Sequence, residues 1–425
     1  MNLFFIVLHI QIGVCSSAEI SRDFDINGIG KLYEGDIISV PEQREEFVNE
    51  ADGEEGGELR QKRQVLKGKN YPRNVWGETI YYRFGPQSGK ILREEFECAT
   101  KAWGQDTCIN FEESNSAKEG LDIITKYYDC ASHVGKVGGW QKIYLGRGCE
   151  TFGQIAHELG HALGLVHTVS RPDRDKYIMV KTTNLKKEYA KEFEKYNSTV
   201  KTYGLGYDHG SIMHYRQMSG FSTDDYQLIP FDRKYKNTHG SEMISFADLT
   251  MINRHYNCTE KCKRENTAEC KNGGYPHPRN CSRCLCPGGY GGIDCTKRPS
   301  DECGQELEAN RTWQDLEITI QNSNAYDYLD GYKKCHYWIK SPEGTKINIK
   351  LEELRFGWDL ACKYDGVEIK VKKDQILTGY RFCDDDDEGT TLTSRLNLVP
   401  VIAYSSYPIL GRAVLKYRYG QFNAV

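Results

Sequence analysis

The apolar and polar positions divide the chain into regions with different patterns. Residues 3–14 form a short apolar run, and the following stretch to about residue 63 is polar with few aromatics. Apolar residues at helical spacing predict a core-packed helix from Thr151 to Leu163, with Thr151 as its N-cap. A second helix is predicted from Ile91 to Trp103. Beyond residue 303, apolar and polar residues alternate in short runs such as Lys346 to Leu351, which predicts an all-β sandwich.

The helix predicted after Thr151 carries the most specific chemical signal of the chain. Eleven residues beginning at His157 fit the pattern H-E-x-x-H-x-x-G-x-x-H. His157 and His161 lie four positions apart, so both can direct a ring nitrogen at one zinc ion. Gly164 can adopt a left-handed conformation that ends the helix and turns His167 back toward the same ion. Glu158 lies within reach of a zinc-activated water, so the pattern predicts a zinc-dependent peptidase.

Composition and spacing argue against several other roles. The formal net charge is −4 and no basic stripe indicates nucleic-acid binding. No run approaches the roughly 20 apolar residues of a membrane span. Seven further histidines show no ligand spacing, and we expect core or surface positions for them. They are His133, His209, His214, His239, His255, His277 and His336.

A second element follows about fifty residues after the motif. The segment Ser211-Ile212-Met213-His214-Tyr215 has a methionine in the position of a Met-turn, which underlies the metal in zinc peptidases with three histidines. Together with the motif and the run Arg171-Pro172-Asp173-Arg174-Asp175, this segment resembles the astacin family of metalloendopeptidases. The resemblance implies an α+β metzincin catalytic domain over residues 64–259. It also implies that Tyr215 is an additional zinc ligand in the resting enzyme, which moves away to stabilise the oxyanion.

One residue departs from the family pattern. Astacins usually carry a glutamate directly after the third histidine, where it binds the N-terminus of the mature enzyme. This chain has Thr168, which can accept a hydrogen bond but cannot form an ion pair with an ammonium group. The departure therefore concerns how the mature N-terminus is anchored, while the catalytic residues are intact.

The N-terminal residues are expected to be removed. Residues 1–18 resemble a signal peptide and residues 19–63 a propeptide, so secretion is expected. The run ending at Arg63 resembles a cleavage site for a furin-like protease, which would make Gln64 the first mature residue; a solvated charge run is the alternative. Asp36 follows Gly35 in a segment that resembles the F-x-G-D element of astacin propeptides. The resemblance implies that Asp36 occupies a zinc position in the zymogen, and an isolated Gly-Asp turn is the alternative.

Cysteine usage fits an oxidising compartment. Cys15 falls in the signal segment, which leaves fifteen cysteines and at least one unpaired thiol. The resemblance pairs Cys108 with Cys258 and Cys130 with Cys149. For Cys98, which is left over, we expect a buried free thiol rather than an intermolecular bridge.

The remaining cysteines lie in two further modules. Residues 260–297 resemble an EGF-like module, whose spacing alone allows 15 connectivities. The family order would join Cys262 to Cys281, Cys270 to Cys284, and Cys286 to Cys295. Residues 303–420 resemble a CUB domain, with cysteines at Cys303, Cys335, Cys362 and Cys383. Some CUB domains bind calcium through three acidic residues. Glu353 and Asp365 could supply two of them, but Ser406 replaces the third, so calcium is not favoured.

These features predict a secreted zinc metalloendopeptidase, made as a zymogen, with Glu158 as general base. The resemblance to nematode astacins and hatching enzymes implies extracellular protein substrates of the matrix, cuticle or egg-envelope type. Sequons at Asn197, Asn257 and Asn310 permit N-glycosylation. The alternative is an inert adhesive or signalling protein that acts through the EGF-like and CUB modules. The intact Glu158 and metal ligands disfavour it, and only Thr168 supports it.

Overall fold

The computed structural model describes most of the chain from residue 73 onward and two short stretches before it. The described residues are 35–38, 65–66, 73–126, 130–196, 200–218, 225–264, 267–324, 327–357 and 361–420. The predicted signal peptide, the cleavage site between Arg63 and Gln64, and the sequon at Asn197 lie outside them.

The described residues contain three α-helices: α1 Lys90–Gln105, α2 Phe152–Ala162 and α3 Phe246–His255. Helices α1 and α2 confirm the two predicted helices. Thr151 is the N-cap of α2 as predicted, but its hydroxyl bonds the Gln154 side chain and not a backbone N–H. Short 3₁₀ segments occupy Thr168–Ser170, Arg174–Lys176, Thr182–Asn184, Lys187–Phe193, Arg233–Tyr235, Glu260–Arg264 and Asp385–Asp387.

A five-stranded sheet carries the two N-terminal helices. Its strands are β2 Thr79–Phe84, β3 Asn110–Glu113, β4 Gly120–Ile124, β5 Cys130–Ala131 and β6 Trp140–Leu145, in the order β3-β2-β4-β6-β5. All neighbours are parallel except β5, which runs antiparallel to β6 at one edge. The core between sheet and helices includes Phe96 and Trp103 of α1, Leu159 of α2 and Ile143 of β6. This packing holds α2 in place along its buried face.

Two small sheets also lie in the described part of the N-terminal domain. Strand β1 Val65–Leu66 pairs with β8 Val200–Lys201, and β7 Ile178–Val180 pairs with β9 Leu228–Pro230, both antiparallel. The next module is small and cysteine-rich, with one hairpin of β10 Tyr275–His277 and β11 Asn280–Leu285.

The C-terminal domain is the predicted β sandwich. One sheet contains β12 Glu306–Glu308, β14 Lys333–Lys340, β19 Leu398–Ser405, β16 Asp365–Ile369 and β17 Tyr380–Phe382, in that order. The other contains β13 Gln314–Ile320, β20 Gly411–Gly420, β15 Lys346–Arg355 and β18 Thr391–Thr393. Alternate residues of these strands fill the core between the sheets, such as Ile347, Ile349 and Leu351 of β15. The α+β fold class with an all-β C-terminal domain is therefore confirmed.

Seven disulfides join described cysteines. They are Cys108–Cys258, Cys130–Cys149, Cys262–Cys281, Cys270–Cys284, Cys286–Cys295, Cys303–Cys335 and Cys362–Cys383. The first five are the pairs that the family resemblance implies. The expectation of a free thiol at Cys98 is wrong, because this cysteine is also disulfide-bonded. Its burial, with 1% of its surface exposed, is as expected.

Candidate metal centre

Three histidine rings converge at the end of α2. The Nε2 atom of His167 lies 3.2 Å from Nε2 of His157 and 3.2 Å from Nε2 of His161. His161 and His167 are fully buried. Nitrogens about 2.0–2.1 Å from a tetrahedral zinc ion would be separated by about 3.3 Å, so the spacing fits that ion.

The opposite nitrogen of each ring has its own partner. Nδ1 of His157 donates to the carbonyl of Ile212 at 2.8 Å, and Nδ1 of His161 donates to the carbonyl of Leu165 at 2.9 Å. A carbonyl can only accept, so each Nδ1 carries the proton and each Nε2 presents its lone pair. Backbone carbonyls thus fix both the tautomer and the ring orientation for metal binding.

The chain turns at Gly164 so that His167 can reach the other two histidines. Gly164 has φ of +105°, a left-handed conformation that glycine adopts without strain. Its N–H donates to the carbonyl of His161, and Leu165 N–H donates to Gly160, which together form a Schellman motif. The predicted role of Gly164 in ending the helix is therefore confirmed.

Asp36 lies against the same three nitrogens. Its carboxylate oxygens are 3.2 Å from Nε2 of His167, 3.4 Å from that of His157 and 3.5 Å from that of His161. Backbone pairing holds it there, because Ser132 N–H donates to the Asp36 carbonyl and Ile38 N–H donates to the Ser132 carbonyl. The carboxylate therefore lies beside the three Nε2 atoms as a possible fourth ligand. Three imidazole nitrogens and one carboxylate oxygen are a donor set that suits zinc.

Burial and charge set the protonation states at the site. Burial raises the pKa of Glu158 well above its usual value, and the negative charge of Asp36 raises it further. Oε2 of Glu158 is buried without a hydrogen-bond partner among the described residues, as expected for a carboxylate that faces a water or substrate. Burial lowers the pKa of His161 to about 4, which keeps its ring neutral. Burial alone would raise the pKa of Asp36, but the neighbouring His167 ring holds it well below its usual value.

Tyr215 lies on the other side of His167. Its hydroxyl is 3.0 Å from Nδ1 of His167, so it is not among the atoms that converge with the three Nε2 atoms while Asp36 is present. Met213 is fully buried beneath α2, where a Cβ added to Gly160 would lie 2.7 Å from the methionine sulfur. The methionine therefore supports the helix that carries two of the histidines.

Arg171 stabilises residues 205 and 206, which precede Met213 in the chain. The guanidinium is fully buried, forms a two-pronged ion pair with Asp173, and donates to the carbonyls of Leu205 and Gly206. Thr168 is also buried, and its N–H donates to the carbonyl of Met213 at 2.9 Å. The family-typical run beginning at Arg171 thus has a structural role that the sequence alone did not reveal.

Three histidines expected in unrelated core or surface positions form a second group. Nδ1 of His209 hydrogen-bonds Nε2 of His239 at 2.8 Å, and the ring of His214 stacks on His239 at 4.1 Å between centroids. Both nitrogens of His214 are engaged, by the Tyr207 hydroxyl and the Tyr215 carbonyl. His209 and His239 bond each other and both nitrogens of His214 have other partners, so the group is a packed imidazole cluster.

The three C-terminal residues considered for calcium, a site that the sequence did not favour, have other partners. Glu353 forms an ion pair with Arg412, at 2.7 Å and 2.8 Å from its two carboxylate oxygens. Asp365 accepts the N–H of Gly357, and the Ser406 hydroxyl bonds the Tyr364 carbonyl. The sequon residues Asn257 and Asn310 are exposed.

Known protein families match two parts of the chain. Residues 68–257 match the Astacin peptidase family, and residues 303–408 match the CUB domain family. In the described residues, no helix combines the length and apolar character needed to cross a membrane.

Individual relatives extend this similarity over most of the chain. Zinc metalloproteinase nas-31 of Caenorhabditis elegans is 39% identical over 402 residues, which cover 94% of this chain and 65% of that protein. Zinc metalloproteinase nas-23 of the same organism is 35% identical over 381 residues, which cover 87% and 69%. The chain thus spans about two thirds of the length of these relatives. Among solved structures, the zinc protease high choriolytic enzyme 1 of Oryzias latipes is similar at 29% identity, with a TM-score of 0.40 over 44% of this chain and 92% of that chain.

Proposed function

Because the chain belongs to the astacin family of zinc metallopeptidases, we propose that it is a secreted zinc metalloendopeptidase that is made as a zymogen. The observation that carries the proposal is the convergence of three Nε2 atoms beside the buried carboxylate of Glu158. His157, His161 and His167 would hold the zinc ion. Bound zinc supplies Lewis acidity, which lowers the pKa of a water and polarises a peptide carbonyl.

The residues of the chain then move the protons. Glu158 takes the proton of the attacking water and returns it to the leaving amine, a role that its position beside His157 supports. Once the Tyr215 hydroxyl leaves Nδ1 of His167, it donates a hydrogen bond to the oxyanion of the tetrahedral intermediate. The carbonyls of Ile212 and Leu165 keep the histidine rings oriented throughout.

Asp36 accounts for latency in this proposal. Its carboxylate faces all three histidines, so it excludes the attacking water from the position that Glu158 serves. The backbone bonds between Asp36, Ile38 and Ser132 hold it beside the edge strand β5. Cleavage after Arg63 by a furin-like protease would release the propeptide that carries Asp36, and Gln64 would become the mature N-terminus.

The substrates proposed are extracellular proteins. Seven disulfides among the described cysteines suit an oxidising compartment, and the cysteine-rich module has the pairing of an EGF-like domain. The EGF-like and CUB domains would direct the peptidase to matrix, cuticle or egg-envelope proteins. Glycans at Asn257 and Asn310 are compatible with the exposure of both side chains.

Two substitutions test the catalytic assignment on protein cleaved after Arg63. Glu158→Gln should keep one zinc per chain and lose about 10²–10⁴-fold in turnover, because only the general base is removed. His161→Ala should instead lose the zinc, because one of three ligands is missing. Metal analysis and peptide cleavage measure both. Full activity in the first variant, or stoichiometric zinc in the second, would overturn the assignment.

A further inference from the structure

The loop between β16 and β17 of the C-terminal domain reaches into the peptidase domain. Thr378 in this loop donates its backbone N–H to Oδ1 of Asp208 at 2.9 Å and its hydroxyl to Oδ2 at 3.3 Å. Asp208 has only 2% of its surface exposed. A buried carboxylate needs hydrogen-bond donors, and the C-terminal domain supplies two of them.

Two glycines allow this close approach. A Cβ added to Gly206 would lie 2.8 Å from Cδ1 of Leu377, and one added to Gly210 would lie 2.4 Å from Cγ2 of Thr378. Neither glycine has a positive φ, so the backbone does not require glycine at these positions. Because glycine has no Cβ, these two positions leave room for the C-terminal loop.

Further contacts between the two domains lie close to Asp208 and Thr378. Arg381 of β17 pairs with Glu368 and donates to the hydroxyl of Ser241 at 2.9 Å. The ring of Tyr380 packs on Tyr235 with 4.5 Å between centroids. The interface is thus a packed, hydrogen-bonded junction and not a loose contact between separate domains.

The contacted segment continues into two residues whose carbonyls bond His157 and Thr168. Asp208 also accepts the N–H of Gly210, and its carbonyl accepts the N–H of Ser211. The next residue, Ile212, presents the carbonyl that orients His157. Met213, one residue further, accepts the N–H of Thr168, the residue after His167. Movement at Asp208 would therefore displace the acceptor that fixes a metal-binding ring.

We propose that Leu377 and Thr378 are positioning residues for the zinc site, so that the C-terminal domain helps to hold the zinc ligands in their catalytic geometry. This inference rests on the proposed peptidase function. The loop holds residues 206–210 from one side while Arg171 holds the carbonyls of Leu205 and Gly206 from the other. Both supports act on the segment directly before Ile212, whose N–H donates to Asp248 and whose carbonyl orients His157. Undocking the loop should loosen the metal and slow catalysis without changing how substrate binds.

A paired substitution tests this idea. Gly206→Ala adds a methyl group whose three nearest neighbours are all side-chain atoms of Leu377, and Leu377→Ala in the same chain removes those atoms. Gly77→Ala is the matched glycine control, because nothing lies within 4 Å of its added Cβ. Leu410→Ala is the matched leucine control, because Leu410 is 58% exposed in the same C-terminal domain.

The readouts are amide hydrogen exchange, zinc release to a chelator, and steady-state kinetics, all on the chain cut after Arg63 with its C-terminal domain intact. Gly206→Ala should speed exchange across residues 205–215, accelerate zinc release about tenfold and lower kcat about tenfold with little change in KM. Adding Leu377→Ala should reverse most of these effects, and both controls should behave as wild type.

Other outcomes separate this inference from the function on which it rests. Faster exchange confined to residues 370–381, with unchanged zinc release, would show that the C-terminal domain is only attached and would overturn the positioning role. If Gly206→Ala does not fold, Asp208→Asn replaces it, since the amide keeps the volume but replaces one of the oxygens that accept from Thr378 with an NH₂ donor group. Absence of chelator-sensitive cleavage in the wild type would refute the peptidase proposal, whereas the exchange comparison would still decide whether the loop orders this segment.

Discussion

At the scale of single residues, the site depends on which nitrogen of each histidine carries its proton. The carbonyls of Ile212 and Leu165 assign that proton to Nδ1 of His157 and His161. Both orienting groups are backbone atoms, so no side-chain pattern reveals them. The ligand histidines were accessible from their spacing, but the atoms that orient them become visible only in the folded chain.

Removal of the Asp36 carboxylate should activate the uncut chain. Asp36→Ala leaves the three histidines without an internal fourth partner, so a water can enter beside Glu158. We expect chelator-sensitive activity of the uncut variant to exceed that of the uncut wild type about tenfold or more. After cleavage behind Arg63 the two proteins should be equally active, because Asp36 is then gone from both. An uncut variant as silent as the uncut wild type would remove Asp36 from the account of latency.

At the scale of elements, the end of α2 determines whether the third histidine reaches the site. Gly164→Ala forces a side chain into a left-handed conformation at φ of +105° and should cost about 1–2 kcal/mol of stability. It should also weaken zinc binding about tenfold or more, because His167 follows the turn.

Gly148→Ala is the control for this substitution. Gly148 has φ of +94°, and nothing lies within 4 Å of its added Cβ, so it incurs a similar backbone cost away from the histidines. Thermal unfolding measures stability and chelator competition measures zinc affinity. Equal zinc affinity in the two variants would contradict the role of the Gly164 turn.

Local spacing was sufficient for elements whose pattern lies within one segment. The helical period located α2, and the glycine after it predicted the turn to His167. The cluster of His209, His214 and His239 was missed because His239 lies in a segment after β9, far from the other two in sequence. Local spacing does not encode a contact between such distant residues. The disulfide at Cys98 was missed because counting cysteines after removal of a signal segment left it without a partner.

At the scale of the whole molecule, the three modules form one packed unit. Arg279 of the cysteine-rich module donates to the carbonyls of Gly104 and Ile109 in the peptidase domain. Trp338 of the C-terminal domain donates to the carbonyl of Gly289 in the cysteine-rich module. These contacts join residues far apart in sequence, which explains why residue patterns located each module but not their junctions.

Acid should weaken this unit through the histidine cluster beside the junction. Burial, with the charge of His214 acting in the same direction, holds the pKa values of His209 and His239 well below the ordinary value. Asp232 opposes this shift at His209, while Lys372 and Arg171 add to it. The unfolded chain therefore binds protons below about pH 6.5 that the folded chain excludes.

The free energy of unfolding should then fall as the pH decreases below about 6.5, by up to about 1.4 kcal/mol per pH unit for each histidine. Denaturant unfolding at pH 7.5, 6.5 and 5.5 measures this slope. A double variant, His209→Gln with His239→Gln, should have a shallower slope than the wild type. The same slope in both proteins would mean that other groups cause the acid sensitivity.

The most direct test of the central claim is cleavage of a peptide library by the chain expressed from Glu19 and cut after Arg63. We expect hydrolysis of internal peptide bonds that a zinc chelator abolishes and added zinc restores, while the uncut chain remains nearly silent. If correctly cut, zinc-loaded protein shows no chelator-sensitive cleavage, the chain is not a zinc peptidase, and an inert adhesive or signalling protein is favoured.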